Sequence, residues 1–394
     1  MTKKINRFLQ KLWNGYRFTA LTLLNTLVAL LLLSTIIYSI SLVKDYLSSD
    51  PVSIKYGHST ISNVYQGLSK REIAALLEET WSRPYDYEPF TQFKEGQYHG
   101  LYVNVDTNGF RNTKNQGPWP PESSNLNIFL FGGSTTFGYG VSDHQTVASY
   151  LQEFLTKSLG RDVRVYNFGR GHYFSTQERI IYEELLASGF VPDIAIFIDG
   201  LNDFFYNSNE PLFTSRFIEF VSKGGKNKIS LGGATKALKQ KFSKWLQEVR
   251  QDDQQKEKTI PDYNDPKVIS RVIKRYLVNK KLIEAVSNPF GVKPIFVWQP
   301  VPMYNYDQQY HPFYQDGYGQ HSYTQYGYEQ MAEIIKNNPL GDNFLWCADI
   351  QKNEKRALYV DKVHFSAGFS SQFAKVISDL IIERDLVGTF ERSE

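Results

Sequence analysis

The sequence has almost no cysteine, since Cys347 is the only one among its 394 residues. A single thiol cannot form an intramolecular disulfide, so the fold depends on its apolar core even in a compartment that would permit bridges. We expect Cys347, which follows Trp346, to be a small buried apolar residue rather than a reactive thiol.

The chain also lacks a strong excess of either charge, because it has 44 Lys and Arg residues and 41 Asp and Glu residues. No basic run is interleaved with aromatic residues, so nucleic acid is not an expected partner. His311 and His321 lie in a Tyr-rich loop over residues 304–328 without further ligands at suitable spacing, so we expect no metal and no other cofactor. The aromatic residues of this loop instead favour a lid that stacks on sugar rings.

Charge is missing altogether from residues 18–43, an apolar run rich in leucine. As a helix this run crosses a hydrocarbon core of about 30 Å. The charged residues before it are all Lys or Arg, so residues 1–17 are predicted to be a cytoplasmic tail and the chain after the anchor to be extracytoplasmic. A cleaved signal peptide is the weaker alternative, because the run exceeds the length of an h-region and no small-x-small site follows it.

After the anchor, residues 44–120 are predicted to form a linker and N-terminal extension with one helix near residues 69–82. The rest, residues 121–394, alternates strands with helices. The predicted strands are short, rich in β-branched and aromatic residues, and apolar on both faces, as in a covered parallel sheet: residues 127–131, 163–168, 193–198 and 293–298.

Helices are predicted between these strands, and two of them begin with capping-box patterns, Ser142 with Gln145 and Ser175 with Glu178. Gly189 is placed to end the second of these helices. The alternation predicts a three-layer α/β/α, flavodoxin-like fold with a doubly wound parallel sheet and ligands at the carboxyl ends of its strands. A segment near residues 222–259, rich in Lys, Gln and Gly, is predicted to be an insertion with an amphipathic helix over residues 234–252.

The first predicted strand of the sheet ends in the turn G-G-S-T-T-F-G-Y-G, residues 132–140. A phosphate-binding P-loop is excluded because Tyr139 stands where the lysine must be, and a dinucleotide fingerprint because Asp143 takes the place of the third glycine. An α/β-hydrolase elbow is excluded because Thr136 replaces its second glycine. What remains is Ser134 on a glycine-rich strand-end turn, a candidate nucleophile that needs a base and oxyanion donors.

Later strand ends supply candidate partners in the stretches N-F-G-R-G, D-G-L-N-D and D-K-V-H. Together with G-G-S they resemble the four sequence blocks of the SGNH, or GDSL-like, hydrolases. The resemblance covers about residues 127–386. It implies a serine nucleophile, a histidine base, an aspartate that orients the base, and an oxyanion site made by two backbone N–H groups and one asparagine. In this sequence the resemblance assigns the nucleophile to Ser134, the base to His364 and the orienting aspartate to Asp361. It assigns the oxyanion donors to Ser134, Gly169 and Asn202.

Two positions depart from the common pattern of that family. Gly133 stands where the commoner G-D-S block has aspartate, and His172 stands where many members have a second glycine. Arg170, His172 and Gln299 are further candidates for substrate binding. Trp298, at the end of the fourth predicted strand, is expected to pack in the core.

The sequence therefore predicts a membrane-anchored, extracytoplasmic serine esterase of the SGNH type. An anchored enzyme that faces outward favours an O-acetylated or otherwise O-acylated glycan or envelope component as its substrate. Two alternatives stay open. The same site can transfer the acyl group to a sugar hydroxyl, as an O-acyltransferase in polysaccharide modification, or the fold can serve as a non-catalytic glycan-assembly protein.

Overall fold

The computed structural model describes residues 2–47, 57–222, 261–314 and 317–388. The chain divides into two compact units, residues 1–58 and residues 59–394. The first contains helix α1, Thr2–Leu47. Within the described residues, α1 is the one helix long and apolar enough to cross a membrane, over Leu9–Ile40. The predicted insertion near residues 222–259 and its helix lie, apart from residue 222, outside the described residues.

The second unit is built on a five-stranded sheet whose strand order is β6-β5-β7-β8-β9 and whose strands are all parallel. Its strands are β5 (Leu126–Gly132), β6 (Val163–Asn167), β7 (Ile194–Asp199), β8 (Lys293–Trp298) and β9 (Phe344–Trp346). The four predicted strands are confirmed to within one residue at each end. The short edge strand β9 was not predicted. The doubly wound parallel sheet is confirmed.

Helices cover both faces of the sheet and produce three layers. Along β5, Ile128 and Leu130 point into one core and Phe129 and Phe131 into the other, because successive strand residues alternate between faces. The helices of the sheet domain are α4 (Ser134–Phe137), α5 (Val147–Leu159), α6 (Ser175–Ala187), α7 (Leu201–Phe205), α8 (Thr214–Ser222), α9 (Pro266–Ser287), α10 (Tyr323–Asn337) and α11 (Ala367–Glu383).

The two predicted capping boxes have different outcomes. The Ser142–Gln145 box is present, but it caps the 3-10 helix Asp143–Gln145, and α5 starts afterwards with Thr146 as its N-cap. The second box is wrong, because α6 begins at Ser175 itself and its N-cap, Phe174, has no side-chain hydrogen bond. Ser175 Oγ instead donates to Asp203 Oδ1 at 2.6 Å. Gly189 adopts a φ of +82° just after α6, as predicted for a helix end.

Residues 57–113, expected to form a linker and extension, fold against the sheet domain. They contain α2 (His58–Val64), α3 (Lys70–Trp81), β1 (Tyr85–Glu88), β2 (Gln92–Glu95), β3 (Tyr98–His99) and β4 (Asn104–Val105). The helix predicted near residues 69–82 is confirmed as α3. Beyond β4, the Arg111 N–H donates to Asn167 O at 2.8 Å and so extends the sheet past β6.

The side chain of Arg111 ties this extension to the turn after β5. Its guanidinium is fully buried and donates to the carbonyl oxygens of Phe137, Gly138 and Val141 at 2.6–3.0 Å. It also pairs with Asp143 at 2.9 Å. Burial lowers the pKa of Arg111, which the Asp143 carboxylate opposes. The carbonyl oxygens that follow the G-G-S turn are thereby satisfied by a residue of the extension.

Candidate active site

The first element of the site is the turn between β5 and α4, which presents Ser134 as the first residue of α4. A Cβ atom built on Gly132 would overlap Thr136 Oγ1, and one built on Gly133 would overlap Asn202 Nδ2. At Gly132 the Cβ would also lie 2.9 Å from the backbone oxygen of Ile198, so glycine is required there, whereas a side chain at position 133 would require the Asn202 amide to move. At the position where commoner relatives carry aspartate, the amide of Asn202 occupies the space that a side chain would need.

Ser134 lies at the end of a hydrogen-bonded chain of three side chains. Ser134 Oγ is 2.8 Å from His364 Nε2, and His364 Nδ1 is 2.7 Å from Asp361 Oδ2. The other carboxylate oxygen of Asp361 accepts the N–H groups of Val363 and His364, each at 2.9 Å. These two bonds curl the D-K-V-H loop, so that side chains three residues apart meet.

The electrostatics of the Asp361 carboxylate favour its charged form. Burial alone would raise its pKa, but the interaction with His364 and the two backbone N–H donors hold the pKa below its ordinary value. An ionised carboxylate at Nδ1 fixes the imidazole tautomer and leaves Nε2 facing the serine hydroxyl. A hydroxyl, an imidazole and a carboxylate in this order can deprotonate the hydroxyl as it attacks an acyl carbon.

Hydrogen-bond donors surround the serine. Asn202, on α7, donates to Tyr173 O at 2.7 Å and so retains one free amide hydrogen beside Gly133. The Gly169 N–H, in contrast, donates to Asn167 Oδ1 at 3.0 Å within its own turn. A Cβ at Gly169 would overlap the backbone of Phe137, so glycine is required there by packing. The roles of Gly169 and Asn202 at an oxyanion stay predictions.

His172 has a backbone φ of +66°, a left-handed conformation that is rare for a residue with a side chain. It occupies the position where many relatives have a second glycine. Among the described residues, neither its backbone N–H nor that of Ser134 has an acceptor. The His172 N–H is therefore a candidate donor at this site that sequence reasoning missed, although the replaced glycine was a signal for it.

The predicted substrate-binding side chains differ in their surroundings. Arg170 is 4% exposed and contacts Glu88 at 3.3 Å and the Tyr173 hydroxyl at 3.1 Å. Gln299 is equally buried and accepts a hydrogen bond from Thr135. His172 is half-buried, and its Nδ1 lies 2.8 Å from the Tyr206 hydroxyl. Burial and the neighbouring His364 lower the pKa of His172, which places this ring in the electrostatic field of the site.

The His364 imidazole is packed between two aromatic rings. The Tyr139 ring stacks on His364 at a centroid distance of 5.3 Å, and Trp81 meets it edge-on at 5.5 Å. Trp81 is the last residue of α3 and belongs to the extension. No motif predicts this contact of Trp81, which lies 283 positions upstream of His364.

The two histidines of the Tyr-rich loop, His311 and His321, have separate surroundings. His311 Nε2 lies 3.2 Å from Lys362 O, while the His321 ring is tilted against the Phe205 ring with 4.5 Å between their centroids. Burial lowers the pKa of His311 to about 4 and that of His321 to about 3. Within the described ranges no group of three or more His, Cys, Asp or Glu side chains is arranged to hold a metal ion.

Two further predictions concern the core. Cys347 is fully buried, as predicted, and burial raises the pKa of its thiol to about 12. Trp298 is also fully buried and packs against Tyr276 and Tyr328, in agreement with a core role.

The chain is similar to known proteins of one family. Residues 128–377 match the family model of the GDSL-like lipase/acylhydrolases. No curated protein matches the chain. Solved structures with a similar arrangement include the lipase Lip_vut3 from a goat rumen metagenome, at 12% identity and a TM-score of 0.40 over 65% of this chain and 97% of the other.

Two further solved structures are similar at the same level. The acetyl xylan esterase AlAXEase is 12% identical, with a TM-score of 0.36 over 65% of this chain and 100% of the other. A two-domain esterase active on acetylated mannans is 14% identical, with a TM-score of 0.35 over 66% of this chain and 50% of the other. Since the family match spans more than half of its length, the chain belongs to the GDSL-like lipase/acylhydrolase family and is a hydrolase of ester bonds.

Proposed function

We propose that the protein is a serine esterase in which Ser134 is the nucleophile, His364 the general base and Asp361 the residue that orients the base. The observation that carries this proposal is the continuous chain from Ser134 Oγ to His364 at 2.8 Å and on to Asp361 at 2.7 Å. Both distances lie within the reach required for proton transfer.

In the proposed reaction His364 Nε2 takes the hydroxyl proton while Ser134 Oγ bonds to the ester carbonyl carbon. The tetrahedral oxyanion accepts hydrogen bonds from Asn202 and from the backbone N–H groups of Ser134 and His172, while Gly169 donates to it only if its N–H leaves Asn167 Oδ1. Its collapse breaks the bond to the leaving alcohol, which takes the proton from His364. Water then attacks the acyl-serine, and His364 accepts a proton from it. Collapse of the second tetrahedral intermediate breaks the bond to Ser134 Oγ, which takes that proton back from His364 as the carboxylic acid is released.

For the substrate we propose an O-acylated, in particular O-acetylated, glycan or envelope component outside the cytoplasm. Support comes from the N-terminal sequence, in which basic residues precede an apolar helix long enough to span a membrane. The half-buried Trp81 ring beside His364 suits stacking on a sugar ring.

The test uses the full chain in detergent, labelled with a fluorophosphonate and assayed on p-nitrophenyl acetate. We expect labelling and hydrolysis in the wild type, and loss of both in Ser134→Ala. Equal labelling of the two proteins would contradict the assignment of the nucleophile.

A second assay, with an acetyl donor and an oligosaccharide acceptor, separates hydrolysis from transfer. Release of acetate supports the esterase. Accumulation of acetylated sugar would identify an O-acyltransferase that uses the same three side chains.

A further inference from the structure

Glu95 is a buried carboxylate of the N-terminal extension, outside residues 128–377 that match the family. It is the last residue of β2 and is 1% exposed. Its Oε1 accepts hydrogen bonds from the Gly171 N–H at 2.9 Å and from the Tyr139 hydroxyl at 3.1 Å. Its Oε2 accepts one from Arg83 at 3.0 Å. One side chain thus contacts three separate segments.

Through Tyr139, Glu95 is connected to the proposed base, His364. The Tyr139 ring stacks on the His364 imidazole with 23° between the two planes, so the position of the ring sets the position of one imidazole face. At its other end the Tyr139 hydroxyl is held by Glu95 and by Tyr85, whose hydroxyl lies at 3.2 Å. Fixing the hydroxyl end of the ring restrains the imidazole.

Through the Gly171 N–H, Glu95 is connected to the turn that arranges the proposed oxyanion donors. A Cβ at Gly171 would lie 2.5 Å from the Tyr139 hydroxyl and 3.2 Å from Glu95 Oε1, so the turn packs directly on both. The next residue is His172, with its left-handed backbone, and the one after it, Tyr173, accepts the hydrogen bond that orients Asn202. Holding the Gly171 N–H fixes the turn from which these donors are arranged.

The third contact keeps the carboxylate in place. Both side chains of the Arg83–Glu95 pair are 1% exposed. Arg83 also donates to the carbonyl oxygens of Glu79 and Thr80 at the end of α3, and its guanidinium lies 4.2 Å from the centroid of the Phe137 ring. Burial acts to lower the pKa of Arg83, but Glu95 together with Tyr139 and Tyr85 outweighs this effect and the net shift is upward. The pair anchors Glu95 between α3 and the nucleophile turn.

We propose that Glu95 is a positioning residue for both halves of the site: through Tyr139 it sets the His364 imidazole, and through the Gly171 N–H it sets the turn that carries the oxyanion donors. This inference rests on the proposed serine mechanism. It gives Glu95 and its partner Arg83, which lie outside the family match, a role in arranging the proposed catalytic residues.

The test compares Glu95→Asp, Glu95→Gln and the control Glu79→Asp in the full chain. Glu79 is a carboxylate of the same extension that accepts N–H groups of Leu101, Tyr102 and Val103, and it contacts neither Tyr139 nor Gly171. Three quantities are measured: the number of active sites titrated by a fluorophosphonate, kcat and KM per titrated site on p-nitrophenyl acetate, and Tm.

We expect Glu95→Asp to lower kcat per titrated site by about tenfold to a hundredfold with KM nearly unchanged, because the shorter side chain cannot reach both Tyr139 and Gly171. Glu95→Gln keeps an acceptor oxygen but loses the charge that Arg83 requires, so it should retain more kcat than Glu95→Asp and lose more Tm. Glu79→Asp should lower Tm and leave kcat per titrated site at the wild-type value.

A purely structural role would reduce the number of titrated sites and Tm while kcat per site stayed constant, and that result would overturn the inference. If neither Glu95 variant folds, Tyr139→Phe decides, because it removes only the hydroxyl and keeps the ring. A fall in its kcat at unchanged Tm supports the inference, and an unchanged kcat overturns it. Failure of the serine mechanism is distinguishable, because the wild type would then remain unlabelled or Ser134→Ala would be labelled equally.

Discussion

The Asn202 amide lies where a side chain on Gly133 would be, so a side chain at position 133 and the predicted oxyanion donor would compete for the same space. Asn202 is held there by its hydrogen bond to Tyr173 O. In this arrangement the G-G-S turn leaves the Asn202 amide room beside Ser134.

We expect Gly133→Ala to displace Asn202 and to lower kcat by about a hundredfold, the cost of losing one oxyanion donor. Steady-state kinetics on p-nitrophenyl acetate measure the effect. Gly368→Ala on α11 is the matched control, because its Cβ would meet only Arg356 at an ordinary 3.4 Å. Equal activity of the two variants would show that Asn202 does not need its present position.

Asn202→Ala should lower kcat by about 10²- to 10³-fold with little change in KM, because the lost donor acts on charge that develops in the transition state. Asn202→Asp should be more harmful, since a carboxylate of similar shape would face the oxyanion. The order wild type, alanine, aspartate in kcat is therefore the expected result. Activity retained in Asn202→Asp would exclude an oxyanion role for this side chain.

Asp361→Asn should lower kcat by about 10⁴-fold, because an amide at Nδ1 permits the wrong imidazole tautomer. The pKa of Asp361 is held below its ordinary value of 3.8, so the carboxylate stays ionised down to that pH and below. Loss of wild-type activity between pH 5 and pH 7 should then reflect another group. A pH–rate profile of kcat/KM checks this, and a limb assigned to Asp361 in that window would contradict it.

A buried group of carboxyls beneath α7 predicts how stability varies with pH. Burial, together with neighbouring acidic groups, raises the pKa of Glu178 and of Asp199 well above their ordinary values of 4.5 and 3.8. The folded state thus binds more protons than the unfolded state above about pH 4, and the free energy of unfolding falls as pH rises through the raised values.

Glu178→Gln should remove much of that decline, so its Tm should fall less than that of the wild type between pH 5 and pH 8. Thermal unfolding of both proteins at the two pH values measures the difference. Glu183→Gln, on the same helix but paired with Arg179 near the surface, serves as the control. A Glu178→Gln variant whose Tm follows the wild type at both pH values would refute the argument.

The sheet was predictable because a covered parallel strand leaves a continuous apolar run, as at residues 293–298. The edge strand β9 spans three residues and leaves no such pattern. Ser175 and Glu178 show the opposite error: their spacing matches a helix-capping signal, yet both side chains lie in a buried polar cluster with Asp199 and Asp203. Local spacing cannot distinguish a cap from a tertiary contact that the fold brings together.

The candidate catalytic residues could be predicted from the sequence, whereas the residues that pack against them could not. Ser134, Asn202 and His364 follow strands or sit in a short loop with a recognisable spacing. Trp81 and Glu95 reach the site from an extension without any motif, and their positions depend on how that extension packs. The left-handed conformation of His172 likewise arises from the turn and not from a preference of histidine.

The hydrogen bonds of Arg111 limit how far the chain can be shortened from its N-terminal side. Its buried guanidinium donates to three carbonyl oxygens that follow the G-G-S turn, and a buried carbonyl left without a donor costs about 1–3 kcal/mol. Phe137 O and Gly138 O each accept a second, longer hydrogen bond, from Asn167 at 3.4 Å and from the Val141 N–H at 3.3 Å. A proteolytic or recombinant fragment that begins where the family match begins would lose all three bonds to Arg111. The smallest fragment that we expect to remain active therefore includes both Arg111 and α3, whose Trp81 packs on the His364 ring.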